Sequence, residues 1–176
     1  MQTIPYRFAE NFRDKIQGTI KLKACNEHAS SSEDDQETLS ASSYVFSPYT
    51  TRLTEVHRIK VEEKVRAVHS NYPVFVAVMT KSNIIRQPCY LAICRKYANK
   101  YLPRKEQMLT LQRQGRRWQV QFRINKRNLR MLSNGWRKFT RDNELQIGDT
   151  CLFELLSNKN SYTMNVQIIR KYSLLL

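Results

Sequence analysis

The strongest alternation in the chain is RRWQVQFRI, residues Arg116 to Ile124. Trp118, Val120, Phe122 and Ile124 take one phase and Arg117, Gln119, Gln121 and Arg123 the other. Strand side chains point alternately to two faces, so the run predicts a half-buried strand with a wet, basic outer face. SYTMNVQII (Ser161 to Ile169) repeats the pattern, with Tyr162, Met164, Val166 and Ile168 set against Thr163, Asn165 and Gln167. VFVAVM (Val74 to Met79) is apolar in both phases, as in a strand covered on both sides. Further strands are predicted at QMLTLQ (Gln107 to Gln112), which leads to a turn at Gln114-Gly115, and at Cys151 to Leu156, entered through Gly148-Asp149.

Between these runs the period changes to that of a helix. Val61, Val65 and Val68 predict a helix from Thr54, its N-cap, to about His69, ended by Asn71-Tyr72-Pro73 because the residue before proline is pushed out of the α region. Leu91 to Leu102 predicts a second helix, with Ile93, Tyr97 and Tyr101 on one face and Pro103 closing it. In MLSNGWRKFTRDN (Met131 to Asn143) a short strand turns at Asn134-Gly135 into a helix that buries Trp136 and Phe139. Many short strands, close turns and few helices predict a mainly β fold, a curled sheet or small barrel.

The first residues carry a smaller signal. Ile4, Phe8 and Phe12 fall on one helical face, and Ile20 and Leu22 then alternate as in a strand. Shifted by 89 positions, Ile4 meets Ile93, Phe8 meets Tyr97, Phe12 meets Tyr101, Ile20 meets Leu109 and Leu22 meets Leu111, an internal repeat without a gap. From Ala24 the text turns to serines and acids, and residues 24–53 are expected to be a disordered linker.

Charge separates the two halves. Of the 30 Lys/Arg and 15 Asp/Glu in 176 residues, ten of each lie in residues 1–71, so the whole net charge of +15 comes from residue 72 onward. Between Lys81 and Arg141 the only acid is Glu106. A polyanion is the partner such a surface fits, because lysine and arginine placed on phosphates release condensed counterions. No run approaches the ~18 apolar residues needed to span a bilayer. Cys25, Cys89, Cys94 and Cys151 form no C-x-x-C pair, which leaves no zinc set and no metal or cofactor to expect. Asp142, Glu144, Asp149 and Glu154 lack the paired arrangement around a lysine that a metal-dependent nuclease needs, and Asp149 after Gly148 is expected to bond turn amides instead.

Two segments carry recognition chemistry. Lys81, Ser82, Asn83 and Arg86 form a short polar loop after the first strand, and Arg123, Asn125, Lys126, Arg127, Asn128 and Arg130 cluster after the Trp118 strand. Arginine can bond guanine O6 and N7 with both arms of its fork, asparagine matches adenine, and lysine mostly neutralises phosphate. The competing reading is that Ser82 and Asn83 only close a turn and that the basic cluster is a solvated sheet edge. Trp118, Trp136 and Phe139 sit on the apolar phase of their elements and are expected in the core rather than stacked on unpaired bases.

In order and spacing, YPVFVAVMTKSN, YLAICRKYANKYLP, LTLQRQGRRWQVQFR, LSNGWRKFTRDNELQIGDTCLFEL and MNVQIIRK resemble the plant B3 DNA-binding domain, with the nearest likeness to its reproductive-meristem (REM) class. The resemblance covers about residues 72–171. It implies a seven-stranded open β-barrel with two short α-helices that grips the major groove of double-stranded DNA with two arms, here Thr80 to Gln87 and Arg123 to Arg130. It implies a transcriptional regulator in the nucleus, with no enzymatic activity and no cofactor. Binding of RNA or single strands by a basic barrel is the alternative, and a nuclease the third. On the same resemblance, residues 1–23 are the remnant of an upstream domain of the same kind, 54–71 a helical lead-in and 172–176 a tail. Deleting residues 1–50 is then expected to leave affinity unchanged.

Overall fold

The structure, a computed structural model, describes residues 43–48, 50, 53–156 and 161–174. The expected repeat in residues 1–23 and most of the expected linker lie outside them. In chain order the elements are β1 (Tyr44–Phe46), α1 (Glu55–Val68), β2 (Val74–Val78), α2 (Lys81–Ile84), β3 (Leu91–Ile93), α3 (Arg95–Tyr101), β4 (Gln107–Arg113), β5 (Arg116–Ile124), β6 (Arg130–Leu132), α4 (Trp136–Asp142), β7 (Thr150–Leu156), β8 (Thr163–Ile169) and a closing 3-10 turn, Lys171–Leu174.

The strands form one curled eight-stranded sheet in the order β1-β2-β7-β8-β4-β5-β6-β3. Curling brings its ends together, and Ser47 Oγ, just past β1, donates to Ala92 O of β3 at 3.4 Å. The period-2 runs behave as their sequence predicts. Trp118, Val120 and Phe122 of β5 are buried while Arg117, Gln119 and Arg123 are exposed, and Leu109 and Leu111 of β4 face Val120 and Trp118 across the ladder. The β4–β5 hairpin closes on Gln114 (φ 49°) and Gly115 (φ 77°), the paired positive dihedrals of a two-residue hairpin turn.

β2 is buried on both faces because two cores meet on it. Phe75 and Ala77 join the interior cluster with Trp136, Phe139 and Phe153, whereas Val74 and Val76 pack with Val61 and Val65 of α1 on the outside of the sheet. α1 begins where predicted, with Thr54 Oγ1 accepting from His57 N at 3.3 Å, and ends at His69 in the left-handed region (φ 45°). At Gly135 (φ 92°) the chain passes so close to Gln119 O that a Cβ would collide with backbone, so only glycine lets β6 turn into α4 there. No helix among the described residues is long and apolar enough to cross a membrane.

Three expectations need correction. The seven strands expected over residues 72–171 are present as β2–β8, but Tyr44–Phe46, inside the expected linker, is an eighth strand, β1, paired in parallel with β2, an edge whose amides and carbonyls are otherwise open. The helix expected over Leu91 to Leu102 starts at Arg95, since Leu91–Ile93 pairs with β6 as a strand. Besides the lead-in and the two expected helices, a four-residue helix, α2, occupies the first arm.

Candidate nucleic-acid interface

The first arm, Thr80 to Gln87, leaves β2 as part of a loop that runs to Tyr90 and is wound around Asn83. The Asn83 Oδ1 accepts from Thr80 N at 2.9 Å and from Thr80 Oγ1 at 2.8 Å, and its Nδ2 donates to Tyr90 O at 3.0 Å. Its backbone carbonyl accepts from Trp136 Nε1 at 2.8 Å and from Cys89 Sγ at 2.9 Å. Ile85 N and Arg86 N both donate to Lys81 O, at 2.9 and 3.0 Å, which closes the single turn of α2. Asn83 is thus 6% exposed with both amide ends used, and in this geometry it closes the turn, the competing reading for this residue. Lys81 and Arg86 are exposed, and Ser82 is half-buried with its Oγ 2.8 Å from Thr80 Oγ1.

The second arm, Arg123 to Arg130, takes in the β5–β6 turn at Asn125 to Leu129. The Asn125 Oδ1 accepts from Arg127 N and Leu129 N, both at 2.9 Å, and Asn128 N donates to Asn125 O at 2.8 Å. Asn128 adopts φ 61°, a conformation asparagine tolerates. The Arg130 Nη1 donates to Asn128 O and to its Oδ1, both at 2.9 Å. A bidentate match to adenine needs the amide oxygen as well as the nitrogen. The Asn125 oxygen already accepts two bonds, so the expected adenine match is not open to it in this geometry, whereas that of the exposed Asn128 accepts one, from Arg130, and keeps a second lone pair. Arg123, Lys126 and Arg127 extend from the arm, exposed and, among the described residues, without a carboxylate partner.

Across the outer face of β6 the arms enclose a cleft of about 530 Å³ lined by Gln87, Tyr90, Arg123, Met131, Asn134 and Arg137, among others, with no acid in its walls. Met131 pairs with Arg123 across the ladder, so both point to this face. The Arg137 guanidinium, on the first turn of α4, lies against the side-chain amide of Gln87 and ties α4 to the first arm. Arg137, Asn134, Tyr90 and Gln87 are interface candidates that the sequence reading did not name. The exposed phase of α4, Arg137, Lys138 and Arg141 against buried Trp136, Phe139 and Thr140, carried part of the signal.

The acids are occupied elsewhere. Asp142 accepts from Trp118 Nε1 at 3.0 Å and lies 3.4 Å from Lys138 Nζ; the indole bond, then the lysine, hold its carboxyl below the usual range. Asp149 accepts from Gln146 N, Lys171 N and Arg170 Nη1 at 3.0, 2.9 and 2.9 Å, the turn-bonding role expected of it. Trp118, Trp136 and Phe139 are at most 5% exposed, in the core as expected. Among the described residues no group of three His, Cys, Asp or Glu side chains could hold a metal ion.

Residues 75–172 match the family model described as the B3 DNA binding domain. A B3 domain-containing protein of Oryza sativa subsp. japonica is 68% identical over 124 residues, covering 70% of this chain and 11% of its own length. A second rice B3 domain-containing protein is 40% identical over 162 residues, covering 86% of this chain and 30% of that protein. The chain therefore spans less than a third of either relative. Among solved structures, the Arabidopsis FUS3-DNA complex superposes with a TM-score of 0.43 at 17% identity, over 53% of this chain and 94% of that one.

Proposed function

We propose that this chain, which belongs to the B3 DNA-binding domain family, binds double-stranded DNA in the major groove through its two arms and regulates transcription in the nucleus. The observation that carries the reading is the acid-free cleft between the arms, where Arg123 and Arg137 converge from β5 and α4 with Asn134 and Gln87 beside them. Arg123, Lys126, Arg127, Lys81 and Arg86 supply fork donors and point charges for guanine edges and phosphates, and Ser82 and Asn134 supply short polar groups. The reading assigns the chain no catalysis.

Burial of Trp118, Trp136 and Phe139 keeps these three rings from stacking on unpaired bases and leaves Tyr90 as the aromatic in the cleft, which favours a duplex over a single strand. A gel-shift comparison of duplex DNA, single-stranded DNA and RNA at one salt concentration tests it. The duplex should bind tightest; equal or tighter binding to RNA would overturn the proposal.

A further inference from the structure

A second basic cleft lies on the other face of the β5–β6 arm. It has a volume of about 380 Å³ and is lined by Asn99, Pro103, Arg104 and Arg130. Arg130 and Met131 are consecutive on β6, so they point to opposite faces of the sheet. Met131 lines the cleft between the arms, and Arg130 therefore opens onto the reverse side, level with Ile93 of β3 and Ile124 of β5. Arg95 follows β3 by two residues and its charge acts on Arg130, while Arg104 comes from the α3–β4 connection.

Two guanidinium groups, Arg104 and Arg130, thus line one opening, and Arg95 lies near enough for its charge to act on Arg130. Among the described residues no carboxylate pairs with Arg95, Arg104 or Arg130, and the acid nearest in sequence, Glu106, accepts from Ile124 N at 2.9 Å. Burial and the neighbouring Arg95 pull the Arg130 pKa below its ordinary value, so the cluster is held at an electrostatic cost that an anion would relieve.

We infer that Arg95, Arg104 and Arg130 receive phosphodiester groups of the same duplex that the arms grip, an inference that rests on the function proposed above. The major groove, about 12 Å wide, admits a two-stranded β-ribbon. A β-hairpin inserted edgewise has one face toward each wall of the groove, and each wall is a phosphate-bearing strand. Arg123 and Arg137 meet the duplex from one face of the hairpin, and the Arg104–Arg130 cleft, with Arg95 near Arg130, meets the backbone behind the other.

The test is the salt dependence of duplex binding by the full chain, its Arg95→Gln/Arg104→Gln variant, and a Lys64→Gln/Arg66→Gln variant that removes the same charge from the exposed side of α1. Loss of two phosphate contacts should lower the slope of log K against log salt by about two and weaken binding ~10-fold or more at ~0.15 M salt. Because phosphates carry no sequence information, the loss should be alike for unrelated duplexes. The α1 variant should keep a slope near that of the full chain, and melting should confirm that both variants fold. An unchanged slope in Arg95→Gln/Arg104→Gln, or an equal drop in the α1 variant, would overturn the cleft while leaving duplex binding standing. Failure of the unmodified chain to bind duplex would overturn the underlying function instead.

Discussion

Trp136 joins the core and the first arm in one side chain, and Trp136→Phe separates the two roles. The ring is fully buried, stacked on Phe139 at 5.4 Å and tilted against Phe153 at 6.2 Å, and its indole N–H donates to Asn83 O. Phenylalanine keeps an aromatic ring at the site but removes the N–H and part of the bicycle. A net hydrogen bond contributes about 1 kcal/mol, toward the low end here because Asn83 O still accepts from Cys89 Sγ. The unfilled ring volume adds roughly another 1 kcal/mol. Trp136→Phe should therefore cost ~2 kcal/mol and Trp136→Ala ~3–5 kcal/mol, read as shifts of the urea midpoint at constant m. The arm reports separately: in Trp136→Phe, amide exchange of Ile85 and Arg86 should quicken more than that of β4 or β5, since only the arm loses a tether. If neither variant loses stability while duplex binding disappears, Trp136 is a contact residue and the core assignment is wrong. If exchange quickens uniformly, the indole bond does not hold the arm.

Arg123→Ala and Arg127→Ala should each weaken duplex binding by ~1 kcal/mol or more with stability unchanged; if both bind as before with the fold intact by circular dichroism, the second arm is not in the interface. Deleting residues 1–50 removes β1, whose Tyr44 and Phe46 pack on the α1 side and Val45 on the interior core, so the melting temperature should fall even if affinity for duplex holds in the cold. A truncation to residue 42 should melt with the full chain, and equal melting of both truncations would make β1 dispensable. Asp142 has a folded pKa below its unfolded value, so its stabilisation is present above the usual carboxylate range and is lost as pH falls through the folded pKa. The melting gap between the chain and Asp142→Asn should accordingly be widest near neutral pH and close in acid; a gap independent of pH would mean that the Asp142 charge contributes nothing.

What was legible in the sequence depended on how many residues repeat a pattern. β5 shows its phase over nine residues and β8 over seven, and both strands appear with the predicted faces inward. β1 and β3 have three residues each and α2 four, too few to establish a period, and what forms them is a partner far along the chain: β2 for β1 and β6 for β3. The candidate interface was legible as charge and not as geometry. Arg123, Lys126 and Arg127 stand exposed at the arm where a basic cluster was expected, but asparagine serves base recognition and turn formation equally well. Only the fold shows that Asn83 and Asn125 spend their oxygens on their own loops. Arg137 sat on the exposed phase of α4, yet that phase does not say which wall of the molecule it faces; that follows from the β6–α4 turn at Gly135, where only glycine fits.

The bonds that fix the first arm are made by Thr80, Asn83, Tyr90, Cys89 and Trp136, and three of them end on main-chain carbonyls. Foundation and address are therefore written in different letters. The side chains of Lys81, Ile85 and Arg86 make none of these bonds and can be exchanged without disturbing what holds the loop in place, so under the proposed function a library randomised at those three positions would vary what the arm presents to a duplex on an unaltered frame.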